Sequence, residues 1–154
     1  MTYRKNILVL GVSGMLGAVV HQYFTYYSIG NTYGTSRQEI KKYPNIVNFS
    51  TSNLKQIDEV IEKIKPEYII NCIGTIPQVN PNKEDYYRNN FDLPARIIEK
   101  HKDIVLIQPS TDCVFSGDPI VGRKFNFYTN EHDFANEKYL ATDSYGLSKQ
   151  VFDK

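Results

Sequence analysis

Asn6-Ile7-Leu8-Val9-Leu10-Gly11-Val12-Ser13-Gly14-Met15-Leu16-Gly17 joins a short apolar run to three glycines spaced three apart. A continuous apolar pentapeptide ending at a glycine is the pattern of a strand buried on both faces of a parallel sheet. The residues after it, Met15 to Tyr27, place Leu16, Val19, Val20, Tyr23 and Phe24 at helical spacing. The glycines therefore fall on a strand–turn–helix junction. There one glycine permits a tight turn, another lets a phosphate approach the backbone, and a third lets helix and strand pack closely. Free N–H groups at the start of the helix suit phosphate oxygens. The backbone of Gly11, Ser13, Gly14, Met15, Leu16 and Gly17 is the expected phosphate-binding segment. In another context the same glycines would be an incidental turn; strand before and helix after give them their meaning.

Outward from this junction, strand and helix patterns alternate. Asn31–Ser36 and Asn45–Phe49 read as strands. The spacing predicts a helix over Ser52–Ile64, with Leu54, Ile57, Val60, Ile61 and Ile64 on one face and Ser52 or Asn53 as its cap. A strand is expected within Glu67–Ile73, then a loop marked by Gly74, Pro77 and Pro81. Asp85–His101 reads as a helix in which Pro94 predicts a kink or a late start. Ile104–Gln108 is a fifth strand, 112–144 is loop-like, and a helix begins near Tyr145. The expected fold is α/β, a Rossmann-type doubly wound parallel sheet of strand order 3-2-1-4-5. Its ligand belongs at the carboxyl ends of strands one and four, where the order reverses.

Composition bounds the rest. The 154 residues carry 18 Lys+Arg against 17 Asp+Glu, a net charge of +1, so there is no basic field for nucleic acid or an anionic membrane. Hydrophobic residues are 41%, an ordinary share for a folded domain, and no apolar run nears the ~18 residues of a membrane span. Arg4-Lys5 before an apolar stretch imitates a leader, but the glycines interrupt it and no clear cleavage site follows. Cys72 and Cys113 are too few for a disulfide scaffold and have no metal spacing with His21, His101 or His132. They read as packed thiols of a reducing, cytoplasmic setting, and no metal is expected.

Strand two ends Gly34-Thr35-Ser36-Arg37, with no acid until Glu39. An acid there would take the ribose hydroxyls of NAD. Arg37, flanked by Ser36 and Thr35, instead suits a 2′-phosphate, so NADP is the expected coenzyme, with NAD left open. Tyr145 and Lys149 lie one helical turn apart and share a face. A nearby ammonium stabilises tyrosinate and lowers the phenol pKa from its usual ~10, which makes Tyr145 a general acid. A hydroxyl from Thr111 could hydrogen-bond a reacting carbonyl. Singly, each of these patterns arises by chance, in a chain with 12 tyrosines above all.

Ser110-Thr111-Asp112-Cys113-Val114-Phe115-Ser116-Gly117, Tyr145-Gly146-Leu147-Ser148-Lys149 and Asn71-Cys72-Ile73-Gly74 resemble segments of the extended short-chain dehydrogenase/reductase family. The nearest likeness is to its dTDP-4-dehydrorhamnose reductase-like branch, and it runs from Asn6 to Lys149. The resemblance implies a nicotinamide coenzyme on Gly11, Gly14, Gly17, Arg37 and the backbone of Cys72, Ile73 and Gly74, with Tyr145 and Lys149 also touching it. It implies catalytic roles for Thr111, Tyr145 and Lys149, and a structural asparagine at Asn90. The implied reaction is reduction of a nucleotide-linked 4-keto-6-deoxy sugar, with hydride from nicotinamide and the proton from Tyr145. Alternatives are an epimerase or dehydratase of the same family, or a non-catalytic NADP-binding module. Family members are about twice this length, so residues 1–154 are expected to be the coenzyme-binding domain of a longer reductase, with little or no turnover alone. The family often places an Asp after strand three, where this chain has Ser50, Thr51 and Ser52. A nucleotide-sugar is the expected substrate partner, and a homodimer is left open.

Overall fold

The computed structural model describes residues 4–39, 43–76, 82–110, 118–119 and 126–127. Thr111, Cys113, Tyr145 and Lys149 lie outside the described residues. The chain divides into two compact units, one of Met1–Gly74 with Asp92–Pro109, the other of Thr75–Phe91 with Ser110–Lys154.

The first unit is built on a five-stranded sheet. Its strands are β1 (Asn6–Leu10), β2 (Asn31–Ser36), β3 (Ile46–Asn48), β4 (Tyr68–Asn71) and β5 (Val105–Ile107), in the order β3-β2-β1-β4-β5. Every neighbouring pair is parallel, with Val9 opposite both Gly34 and Ile70. The expected topology is the observed one. β1 is central, so both of its faces are covered. Leu8 and Leu10 join a core with Phe49, Ile57, Val60, Ile61, Ile64, Ile69, Leu93 and Ile97, under helices α2 (Gln56–Ile64) and α4 (Leu93–Lys100). Ile7 and Val9 join Val12 and Ile70 on the opposite face, where Val20 and Phe24 of helix α1 (Met15–Tyr26) pack.

Three local expectations are corrected. First, α1 does not bury its whole apolar stripe. Val20 and Phe24 pack inward, but Leu16, Val19 and Tyr23 stay 47%, 62% and 53% exposed, and Gly17 is the buried residue. The helix turns its glycine, not its largest side chains, toward the strand. Second, α2 starts at Gln56, without a cap from Ser52 or Asn53. The N–H groups of Gln56, Ile57 and Asp58 instead reach carbonyls three residues back, on Asn53, Leu54 and Lys55, a tight lead-in turn. The Ser52 hydroxyl is occupied by Ser50 at 3.0 Å. At its other end α2 closes on Lys65, a left-handed residue (φ 51°), and the Asn6 amide donates to the Ile64 carbonyl at 2.8 Å.

Third, the helix around Pro94 starts earlier than expected. Helix α3 (Lys83–Tyr87) begins under the Asn82 cap, which accepts from the Glu84 N–H, and a single π-turn, Arg88–Asp92, leads into α4. Proline at 94 has no N–H for the carbonyl of Asn90 and crowds it. A π-turn absorbs that mismatch without ending the helix. Strand ends differ from expectation by one or two residues. Gly34 N–H to Asn45 O and Phe49 N–H to Ser36 O still extend the β3 pairing to the expected bounds.

In the second unit, strands β6 (Asp118–Pro119) and β7 (Asn126–Phe127) pair antiparallel. Asn90, 1% exposed, accepts from the Thr75 N–H at 2.9 Å and donates to the Thr75 carbonyl at 3.1 Å. Among the described residues no helix is long and apolar enough to cross a membrane.

Candidate functional site

The glycine turn sits at the carboxyl end of β1, between β2 and β4, where the strand order reverses. Each glycine answers to a different constraint. Gly11 is left-handed (φ +79°), and a Cβ on it would stand 2.9 Å from Ile73 Cγ1. Gly17 packs so closely on the strand that a Cβ would overlap the Gly11 carbonyl. Gly14 is different. Its backbone is extended (φ −85°, ψ 164°), it is exposed, and among the described residues an added Cβ would meet only the Gly11 oxygen, at an ordinary 3.4 Å. Among the described residues nothing requires glycine at 14. The space over it fits a group that approaches the backbone from outside.

Two features define that group. The first α1 bond to form is Ala18 N–H to Gly14 O, at 2.9 Å, so the N–H groups of Met15, Leu16 and Gly17 precede it at the head of the helix. Among the described residues no side chain caps α1, and its first turn holds no acid. The positive end of the helix dipole is therefore uncompensated by the helix's own residues, an arrangement that favours an anion. Ser13 and Met15 are exposed beside it.

The turn is braced from β2. Thr35, 1% exposed, accepts the Gly11 N–H on Oγ1 at 3.1 Å and the Val12 N–H on its carbonyl at 2.9 Å. Beyond it, Ser36 is buried and its Oγ accepts the Gln38 N–H at 3.2 Å, while Arg37 is exposed. The Asn48 amide on β3 donates to the Arg37 carbonyl at 2.9 Å. Ser36 thus shapes the turn that presents Arg37, and only Arg37 of the pair stands open at the surface.

At the end of β4, Asn71 is 1% exposed. Its Oδ1 accepts the Ile73 N–H at 3.1 Å and its amide donates to Gln108 Oε1, beyond β5, at 2.7 Å. Asn71 fixes the backbone of Cys72, Ile73 and Gly74, as a backbone-holding asparagine should. Cys72 is half-buried and burial pushes its thiol pKa up, which leaves it a packed thiol. Among the described residues no cluster of His, Cys, Asp and Glu could hold a metal ion.

Sequence reading thus finds the glycines, Arg37 and the Cys72–Gly74 loop, which the structure gathers at the carboxyl ends of β1, β2 and β4. It places Thr35 beside Arg37 but misses its brace on the turn, and it misses Asn48 and Gln108, which hold the other segments. A threonine inside a strand reads only as a β-former, and an asparagine or glutamine at a strand end gives no signal of its partner.

An open parallel sheet with a glycine turn at its switch point defines a nucleotide-binding α/β protein of Rossmann type. The chain belongs to the NAD dependent epimerase/dehydratase family, whose model it matches over residues 7–154. No curated protein matches the sequence. Among solved structures it is similar to an L-threonine dehydrogenase from Clostridium difficile (16% identity, TM-score 0.71), covering 97% of this chain and 47% of that one. It is also similar to two Bacillus anthracis proteins. One is a dTDP-glucose 4,6-dehydratase in complex with NAD (22% identity, TM-score 0.67, 97% of this chain and 48% of that one). The other is a dTDP-4-dehydrorhamnose reductase in complex with NADP (20% identity, TM-score 0.67, 99% and 50%). The chain spans about half the length of these structures.

Proposed function

We propose that the chain is the coenzyme-binding part of an NADP-dependent reductase acting on a nucleotide-linked 4-keto-6-deoxy sugar. The observation that carries the coenzyme reading is Gly14, a glycine that no packing among the described residues requires, set at a helix N-terminus that none of them caps, on the sheet's switch point. The amides of the turn would hold the pyrophosphate, Arg37 would take the 2′-phosphate, and the Cys72–Gly74 backbone would hold the nicotinamide half. Bound there, the coenzyme supplies the hydride. Tyr145 gives the proton to the substrate oxygen, Lys149 lowers the tyrosine's pKa, and Thr111 polarises the carbonyl. These three roles rest on the resemblance of their segments. A nucleotide-sugar is the substrate partner, a homodimer is the open assembly, and the cytoplasm is the expected setting.

The family match favours a second reading, an epimerase or dehydratase, in which the oxidised coenzyme stays bound through turnover. Purified protein separates the two. Under the reductase reading it carries no coenzyme and binds added NADPH more tightly than NADH, both followed by nicotinamide fluorescence. Oxidised coenzyme retained through purification would favour the second reading, and binding of neither coenzyme would refute both.

A further inference from the structure

We propose that Thr35 is a positioning residue for the coenzyme's pyrophosphate: its side chain, from the neighbouring strand, fixes which amides of the glycine turn face inward and which face the ligand. The inference rests on the coenzyme reading above and adds a residue to it.

The turn from Gly11 to Gly17 offers a row of backbone N–H groups, and only some can serve an anion. Gly11 and Val12 open the row, and Thr35 takes both: Val12 by its carbonyl at 2.9 Å, Gly11 by Oγ1 at 3.1 Å. Gly14 N–H closes the turn on the Gly11 carbonyl at 3.0 Å. The groups beyond, heading α1, are those left for phosphate. The Val12 bond uses backbone, so any residue at 35 could form it. The Gly11 bond needs a hydroxyl, which only threonine or serine places there. Gly11 is also the left-handed residue of the turn, in a conformation glycine adopts readily and leaves readily unless something holds it. Thr35 is 1% exposed and Gly11 half-buried, so water replaces the lost hydroxyl only in part. The Gly11 amide would then turn to find another acceptor, and the amides behind it would lose their alignment on the ligand. The nearby Asn48–Arg37 and Ser36–Gln38 bonds are separate from this brace, so the 2′-phosphate side of the site should be unaffected.

The test compares Thr35→Val, which keeps the shape and loses the acceptor, with Thr35→Ser, which keeps the acceptor. Dissociation constants for NADPH and NADH are read by fluorescence, and thermal midpoints are taken without ligand. Thr35→Val is expected to weaken every coenzyme the wild type binds by the same factor, about tenfold (~1.4 kcal/mol). Thr35→Ser is expected to stay within about twofold of wild type. Should Thr35→Val not fold, Thr35→Cys, whose sulfur is a weak acceptor, takes its place with the same expectation. A folded Thr35→Val that binds like wild type overturns the proposal. So does a Thr35→Ser as weak as Thr35→Val, or a loss confined to NADPH, which would place the effect at Arg37. Wild-type protein that binds neither coenzyme overturns the coenzyme reading itself, and this proposal with it.

Discussion

Replacing Asp58 by asparagine tests the packing of α2 against α4, the layer beneath the glycine turn's sheet. Asp58 receives Arg96 Nε at 3.1 Å and Nη2 at 2.5 Å, Lys100 Nζ at 3.0 Å, and lies 3.4 Å from His101 Nε2. Its side chain is 19% exposed, so the pair with Arg96 (21%) is sheltered more than a surface ion pair. Burial by itself pushes the carboxyl pKa up; the hydrogen bonds from Arg96, Lys100 and His101 outweigh it and bring the value from 3.8 to about 2. At about 1.4 kcal/mol per pH unit, that drop contributes roughly 2 kcal/mol to stability. The sign follows from the direction: a lowered carboxylate pKa gives stability that is fully present above pH 4 and lost as the pH falls toward 2. Asp58→Asn is therefore expected to cost about 2 kcal/mol at pH 7 by urea denaturation, and to converge on wild type near pH 2. A variant within about 0.5 kcal/mol of wild type at pH 7, or a difference that persists undiminished at pH 2, would refute the reasoning.

Lys65→Gly should raise stability by about 1 kcal/mol in the same denaturation assay, because Lys65 closes α2 in a left-handed conformation that glycine adopts without strain. Arg37→Ala should weaken NADPH by about 1.5–3 kcal/mol and leave NADH unchanged, read by parallel fluorescence titrations. If Tyr145 is the proton donor proposed above, Tyr145→Phe should leave folding and coenzyme affinity near wild type while lowering any steady-state turnover by ~10²–10⁴-fold.

What the sequence made legible follows the strength of local signals. The β1 run and the three glycines gave strand, turn and helix together, because a central parallel strand must be apolar on both faces and a phosphate turn must lack side chains. The strand order followed from the alternation of strands and helices, with helices on both faces and right-handed crossovers. The face of α1 did not, because close contact between Gly17 and the Gly11 carbonyl, not apolar spacing, sets the rotation of that helix. The start of α2 was hidden because Ser52, a residue suited to capping, bonds Ser50 instead. Pro94 announced an irregularity, but its form as a π-turn depends on how the helix continues through it. The braces Thr35, Asn48 and Asn71–Gln108 join residues between 11 and 37 positions apart, and their partners exist only once the sheet has formed.

The most direct test of the central claim, that the glycine turn holds a dinucleotide pyrophosphate, is coenzyme affinity in Gly14→Ala. The backbone at 14 is extended and, among the described residues, the added Cβ meets only the Gly11 oxygen at 3.4 Å, so folding should be unaffected, with a thermal midpoint like that of wild type. The same Cβ stands where the phosphate must approach, so affinity for NADPH and NADH should fall by about tenfold or more. A stable Gly14→Ala that binds both coenzymes as tightly as wild type would contradict the account.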